Sequence, residues 1–151
     1  MRWAVLVLGG LAVAVVIFGA YVRLAPSDPA RWHTDPSEGT MGANSHVARV
    51  VLPMSPEDAL SAVDAAAKAE PRTARLAGSV EEGRITYVSR SRLWGFPDYT
   101  TVAVRPEGDG AALVIHARAR FGESDLGVNA ARVGRWLASG LGGQALTRRG
   151  G

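Results

Sequence analysis

The chain has 151 residues, 47% of them hydrophobic, with 17 basic side chains against 14 acidic ones and no cysteine. That length suits one domain, and the missing cysteine excludes a disulfide framework, a thiol nucleophile, a lipidated cysteine and a thiolate metal site. Sixteen of the basic residues are arginine, with Lys68 the one lysine. Beyond Val22 the net charge is only +2 with the signs well mixed, which excludes a nucleic-acid electrostatic footprint.

From Trp3 to Val22 there are twenty residues without a charge, seventeen apolar and three glycine, bounded by Arg2 and Arg23. As a helix the run is about 30 Å long, the thickness of a bilayer's hydrocarbon core. Trp3 and Tyr21 stand near its ends, where amphipathic rings prefer the headgroup layer. A cleaved signal peptide has an apolar core of only about 7–15 residues and a small-x-small site. The best site here, Phe18-Gly19-Ala20, puts a bulky ring where a small residue is wanted. Residues 1–22 therefore read as a single-pass membrane anchor. A short N-terminal segment before a long mixed-charge domain favours N-inside, with the domain on the periplasmic side of a bacterial inner membrane.

Residues 23–45 hold three prolines and several turn formers without apolar periodicity, and read as an extended tether. Within it, Trp32-His33 is placed to rest against either the domain or the headgroups. The folded domain is expected over 46–141, opening with a Val-rich strand at 46–52. Ser55-Pro56-Glu57-Asp58 is a helix start, with a cap, a first-turn proline and two acids at the positive end of the dipole; Pro71 ends that helix near Glu70. Four strands follow, at 73–80, 84–91, 99–105 and 112–121, the last two joined through Pro106-Glu107-Gly108-Asp109-Gly110. A helix from about 125 to 141 carries Val133, Leu137 and Leu141 as its apolar stripe, and a flexible tail is expected over 142–151. The order predicts an α+β fold: a small antiparallel sheet of about five strands packed by two helices, by analogy a helix-grip arrangement.

Strand alternation places Arg84, Thr86, Val88 and Arg90 on one face of their strand, and His116, Arg118 and Arg120 on one face of another. If the strands share a sheet, Arg90, Arg118 and Arg120 line one surface, suited to bidentate binding of carboxylate or phosphate. A solvated face in an arginine-biased chain is the other reading. Asp125, Asn129 and Arg132, at i, i+4 and i+7, share a helical face, and Asp125 is placed to pair with Arg120 or Arg132. Gly122 and Gly127 permit tight turns around them. This corner reads as a polar clasp fixing the strand-to-helix turn, or as a ligand-binding corner. The loop Ser91–Asp98 puts Trp94 and Phe96 between two strands, as apolar cover or as a pocket wall with Asp98 as a polar anchor.

No catalytic residue is assigned. The three histidines lack metal-ligand spacing, no cofactor fingerprint is present, and neither a metal nor a cofactor is expected. Asp98 and Asp125 form a conceivable acid–base pair, although arginine partners would keep both ionised.

Three stretches, RLAPSDPARWHTDP, SRLWGFPDYTTVAV and ARARFGESDLGVNAARV, together resemble the Domain of Unknown Function 1499 family over about residues 23–141. The resemblance carries the family's signature onto Arg120, Gly122, Asp125, Gly127, Asn129 and Arg132, with Phe96-Pro97-Asp98 upstream. Where the family often has Arg-Ser-x-Ser-Arg on its last strand, this chain reads His116-Ala117-Arg118-Ala119-Arg120. The resemblance implies a domain behind an N-terminal membrane segment and no established activity. The expected function is a non-catalytic binding or accessory module for an anionic or amphipathic, lipid-like ligand at the membrane, recognised through Arg90, Arg118, Arg120 and Arg132, with Asp98, Asp125 and Asn129 as further ligand-binding candidates. The alternatives are a hydrolase or isomerase using Asp98 or Asp125, and a scaffold for another membrane protein.

Overall fold

The computed structural model describes residues 2–142. The tail expected from 142 onward therefore lies, beyond Gly142, outside the described residues. Helix α1 (Arg2–Leu24) runs for 23 residues, of which only Gly19 and Val22 are buried. It is long and apolar enough to cross a membrane.

The segment after α1 is not an extended tether. It makes a short helix α2 (Pro29–Trp32) and a 3-10 turn at Pro36–Glu38, each opened by an aspartate cap followed by proline. Asp28 accepts from the Ala30 amide at 2.9 Å, and Asp35 from the Ser37 amide at 2.9 Å. Two aspartate–proline starts within eight residues are strong local turn chemistry. The composition that reads as open chain in fact builds short elements able to lie on a surface.

Strand β1 (Ser45–Leu52) leads to helix α3 (Pro56–Ala69), whose start is built as the sequence predicts: Ser55 Oγ accepts from the Asp58 amide at 3.1 Å. Strands β2 (Thr73–Ser79), β3 (Arg84–Arg90), β4 (Pro97–Glu107) and β5 (Gly110–Ala119) follow, and helix α4 (Val128–Gly140) closes the fold. The sheet order is β1-β5-β4-β3-β2, and every pair is antiparallel. Glu107 pairs with Gly110, so the hairpin tightens to Gly108-Asp109. Strand β4 starts two residues earlier than predicted, because Pro97 and Asp98 extend the ladder opposite Arg90 and Ser89. Proline is tolerated at a strand's first residue, where no ladder donor is needed.

Helices α3 and α4 pack on one face of the sheet, giving the α+β, helix-grip-like arrangement expected. Leu52, Leu60, Val63, Tyr87, Val102, Ile115 and Trp136 are buried in this core. Tyr87 and Trp136 meet edge to face, with ring centroids 5.2 Å apart. Alternation sends the neighbouring side chains to the opposite face, and there the segment from Ala25 to Asn44 lies across β5, β4 and β3. Ala25, Trp32 and Pro36 are buried along it, and the Trp32 ring stacks on Tyr99 with centroids 3.9 Å apart and planes within 11°.

Candidate functional site

The start of β4 and the first two turns of α4 share a buried polar clasp. Arg132 donates to Asp98 Oδ2 at 2.9 Å and to Asn129 Oδ1 at 2.7 Å. Asp125 accepts from the Gly127 and Asn129 amides, both at 2.9 Å. It thus serves the backbone of the turn rather than Arg120 or Arg132, correcting the pairing expected from its spacing. Helix α4 begins at Val128, three residues later than predicted, because residues 125–127 are spent on this turn. Gly122 and Gly127 both sit at positive φ, +92° and +80°, as their turn role requires, and Leu126 between them is also forced to +52°.

The two carboxylates are held in opposite senses. Burial pushes Asp98 above the ordinary aspartate value, the Arg132 bond opposing the rise and the nearby Asp125 charge adding to it. At Asp98 the cost of desolvation thus outweighs the pull of the Arg132 bond. Burial also works to raise Asp125, but the amides of Asn129 and Gly127 outweigh it and leave that carboxyl below its usual range.

Arg90, Arg118 and Arg120 do share one face of the sheet, together with Arg84 and Arg105, and all of these but Arg90 donate to the segment 25–44. Arg120 donates to the Pro26 carbonyl at 2.7 Å. Arg118 donates to the Trp32 carbonyl at 2.6 Å and to Thr34 Oγ1 at 3.2 Å, and its guanidinium lies 5.3 Å from the Trp32 ring centre. Ser27 Oγ and the Tyr99 hydroxyl are 2.8 Å apart, and Arg105 pairs with Asp35 at 2.5 Å. Arg90 is spent closer to home, donating to the Gly95 carbonyl at 3.0 Å inside the loop 91–96. Arg118 has no carboxylate partner among the described residues. Its charge is met by carbonyl and hydroxyl oxygens and an aromatic face, while burial pulls its pKa down.

Two histidines lie at this interface. Arg84 Nε donates to His33 Nε2 at 3.2 Å, so that nitrogen is an acceptor, and His33 Nδ1–H donates to Thr86 Oγ1 at 2.8 Å. His33 is therefore neutral, and burial and the Arg84 charge hold its pKa low. Burial and Arg118 pull His116 down to about 4. A Cβ added at Gly39 would collide with the His116 ring, so the 3-10 turn needs glycine at its exit.

One buried charge cluster goes unmarked in the sequence. Asp64 of α3, 6% exposed, accepts from the Tyr87 hydroxyl at 2.8 Å and pairs with Lys68 at 2.6 Å and Arg75 at 2.8 Å. Its only sequence signal is the i, i+4 spacing to Lys68. Burial raises the Asp64 carboxyl, but the bonds from Lys68, Arg75 and Tyr87 prevail and hold it low. The loop 91–96 covers the end of the sheet nearest α1: Phe96 meets Phe18 at 6.2 Å and Phe121 at 5.8 Å between ring centres. An open groove of about 550 Å³ between α3 and α4 is lined by Ala66, Glu70, Arg135 and Ala138, none of them among the predicted site residues.

A family model described as "Protein of unknown function (DUF1499)" matches residues 22–139. No curated protein matches the chain. Among solved structures, the chain is similar to protein CV1439 from Chromobacterium violaceum, with 17% identity, 72% of this chain and 99% of that one covered, and a TM-score of 0.46. It is also similar to the Mll3558 protein from Rhizobium loti, with 19% identity, 66% and 95% covered, and a TM-score of 0.47.

Proposed function

The chain belongs to the DUF1499 family, and we propose that it is a membrane-anchored, non-catalytic accessory module whose exported domain takes an anionic, lipid-like ligand at the bilayer surface. In this reading α1 spans a bacterial inner membrane with its N-terminus inside and the domain on the periplasmic side. The observation that carries the reading is how the polar groups are used. Asp98 is engaged by Arg132, Asp125 by backbone amides, and Arg118 and Arg120 by carbonyls of the segment 25–44. The exposed cations Arg23 and Arg92 are left where α1 meets the domain, joined through the Leu93 carbonyl that Arg23 holds at 2.8 Å. Guanidiniums at that level favour anionic headgroups by roughly 1 kcal/mol each.

Mass spectrometry of the detergent-solubilised full chain tests the ligand. Anionic phospholipid should be retained in preference to zwitterionic lipid, and R23A with R92A should abolish the preference; equal retention of both lipids would refute it. The native chain has no cysteine, so an Asp109→Cys variant tests topology. Labelling by a membrane-impermeant maleimide in intact cells is expected, and labelling only after lysis would reverse the orientation.

A further inference from the structure

We infer that the loop from Ser91 to Phe96, with Phe121 beside it, is a second membrane contact that enters the boundary between headgroups and acyl chains next to α1 and fixes how the domain stands on the bilayer. The inference rests on α1 being a membrane span and adds to it a surface of the domain itself.

Depth is the first argument. The charge-free run ends at Val22, so Phe18 and Gly19 lie about 6 and 4.5 Å inside it along the helix axis. The domain reaches those positions. Phe96 packs edge-on against Phe18 with ring centroids 6.2 Å apart, and a Cβ on Gly19 would lie 3.9 Å from Trp94 Cζ3. Tyr21 meets Phe121 in the same manner, also at 6.2 Å. Rings packed on residues inside a membrane-spanning run share their depth, and the interfacial layer is where tryptophan and tyrosine rings are enriched.

The second argument is an apolar side chain that the protein leaves largely uncovered. Leu93, beside Trp94 in the same loop, is 74% exposed. The third is the treatment of the loop's polar backbone. A carbonyl moved away from water must be satisfied internally, and here Arg23 donates to the Leu93 carbonyl at 2.8 Å and Arg90 to the Gly95 carbonyl at 3.0 Å. Exposed leucine, half-buried rings and carbonyls capped by arginine fit a lipid boundary better than open solvent. The lipid bilayer is the occupant, because the patch is continuous with the helix that crosses it.

The cysteine-free chain allows a direct test in the full-length protein, reconstituted into vesicles of phosphatidylcholine and phosphatidylglycerol. Nitroxide labels are placed singly on Leu93→Cys, on Val13→Cys within α1, and on Asp109→Cys in the hairpin at the opposite end of the sheet. Power-saturation measurements then compare relaxation by oxygen, which concentrates in lipid, with relaxation by a water-soluble nickel chelate. The label at 93 is expected to favour oxygen, as at 13, while the label at 109 favours nickel. If 13 favours oxygen but 93 behaves like 109, the span stands and the second contact is refuted. A water signature at 13 overturns the span and the inference together. A label at 93 that is immobilised and shielded from both relaxants would show a protein seat rather than lipid, and also overturns the proposal.

Discussion

The two faces of the sheet are held by different physics. On one, α3 and α4 bury Leu60, Val63, Tyr87, Ile115 and Trp136 against each other, so the non-directional removal of apolar surface from water dominates. On the other, a segment with one large apolar anchor, Trp32, is fixed by hydrogen bonds from Arg118 and Arg120 to its carbonyls, from His33 to Thr86, and between Ser27 and Tyr99. The apolar face tolerates imprecise angles but not lost volume. The polar face tolerates little loss of geometry, since each unmade bond leaves a desolvated group behind. The first kind of packing makes a domain, and the second ties a connecting segment, and with it α1, to a fixed place on that domain.

The largest expected effect tests the apolar face. Trp136→Ala should cost about 4 kcal/mol and unfold the domain as a whole, seen as one early transition in a thermal melt with all amides losing protection together. Next comes the clasp that joins the sheet to α4. Asp98→Ala leaves the Arg132 charge buried and unpaired, at about 3 kcal/mol, and a double-mutant cycle with Arg132→Met should recover part of that loss.

Acid should strike the two faces in sequence. His33 and His116 have folded-state pKa values below the ordinary 6.5, His116 at about 4. Between those values the unfolded chain binds more protons than the folded one. Stability is therefore complete above about pH 6.5 and falls as the pH drops toward 4, by on the order of 3 kcal/mol for His116. Asp64 on the helix face is depressed instead, so its contribution survives until the pH falls below the ordinary aspartate value of 3.8. Denaturation followed by hydrogen exchange across this range should show residues 25–44 losing protection before α3. Protection lost first in α3 would reverse the assignment.

Arg118→Met keeps much of the volume but removes the donors to the Trp32 carbonyl and Thr34, for about 2 kcal/mol. Exchange should accelerate in residues 25–44 and stay unchanged in α4. The smallest effect lies where neither face reaches. Leu126 is 92% exposed at φ +52°, so Leu126→Gly should relieve strain and raise stability by about 0.5 kcal/mol, read as a small upward shift in Tm.

Much of the fold is legible in local signals. The Ser55-Pro56 start, the strand alternation that puts Arg118 and Arg120 together, and the glycines at 122 and 127 are all read at the scale of a few residues, where the physics of caps, periodicity and φ acts. The candidate site is legible only in part. Spacing brings Asn129 and Arg132 to one helical face, but the choice of Asp98 rather than Asp125 as the partner of Arg132 depends on β4 starting beside α4. Asp64 escapes notice because its importance comes from Tyr87 and Arg75, which only the sheet brings to it.

By itself the sequence determined a charge-free helix of membrane-spanning length, an antiparallel α+β domain, and arginines aligned on one strand face, because each depends on periodicity along a short stretch of chain. Tertiary structure decided what those arginines do. The segment 25–44 has no apolar period to announce a binding face. Its place is set by Trp32 meeting Tyr99, and by carbonyls of Pro26 and Trp32 meeting guanidiniums more than eighty residues away in sequence. Long-range pairing of that kind has no local signature, since the partners are chosen by the geometry of a sheet that must already exist.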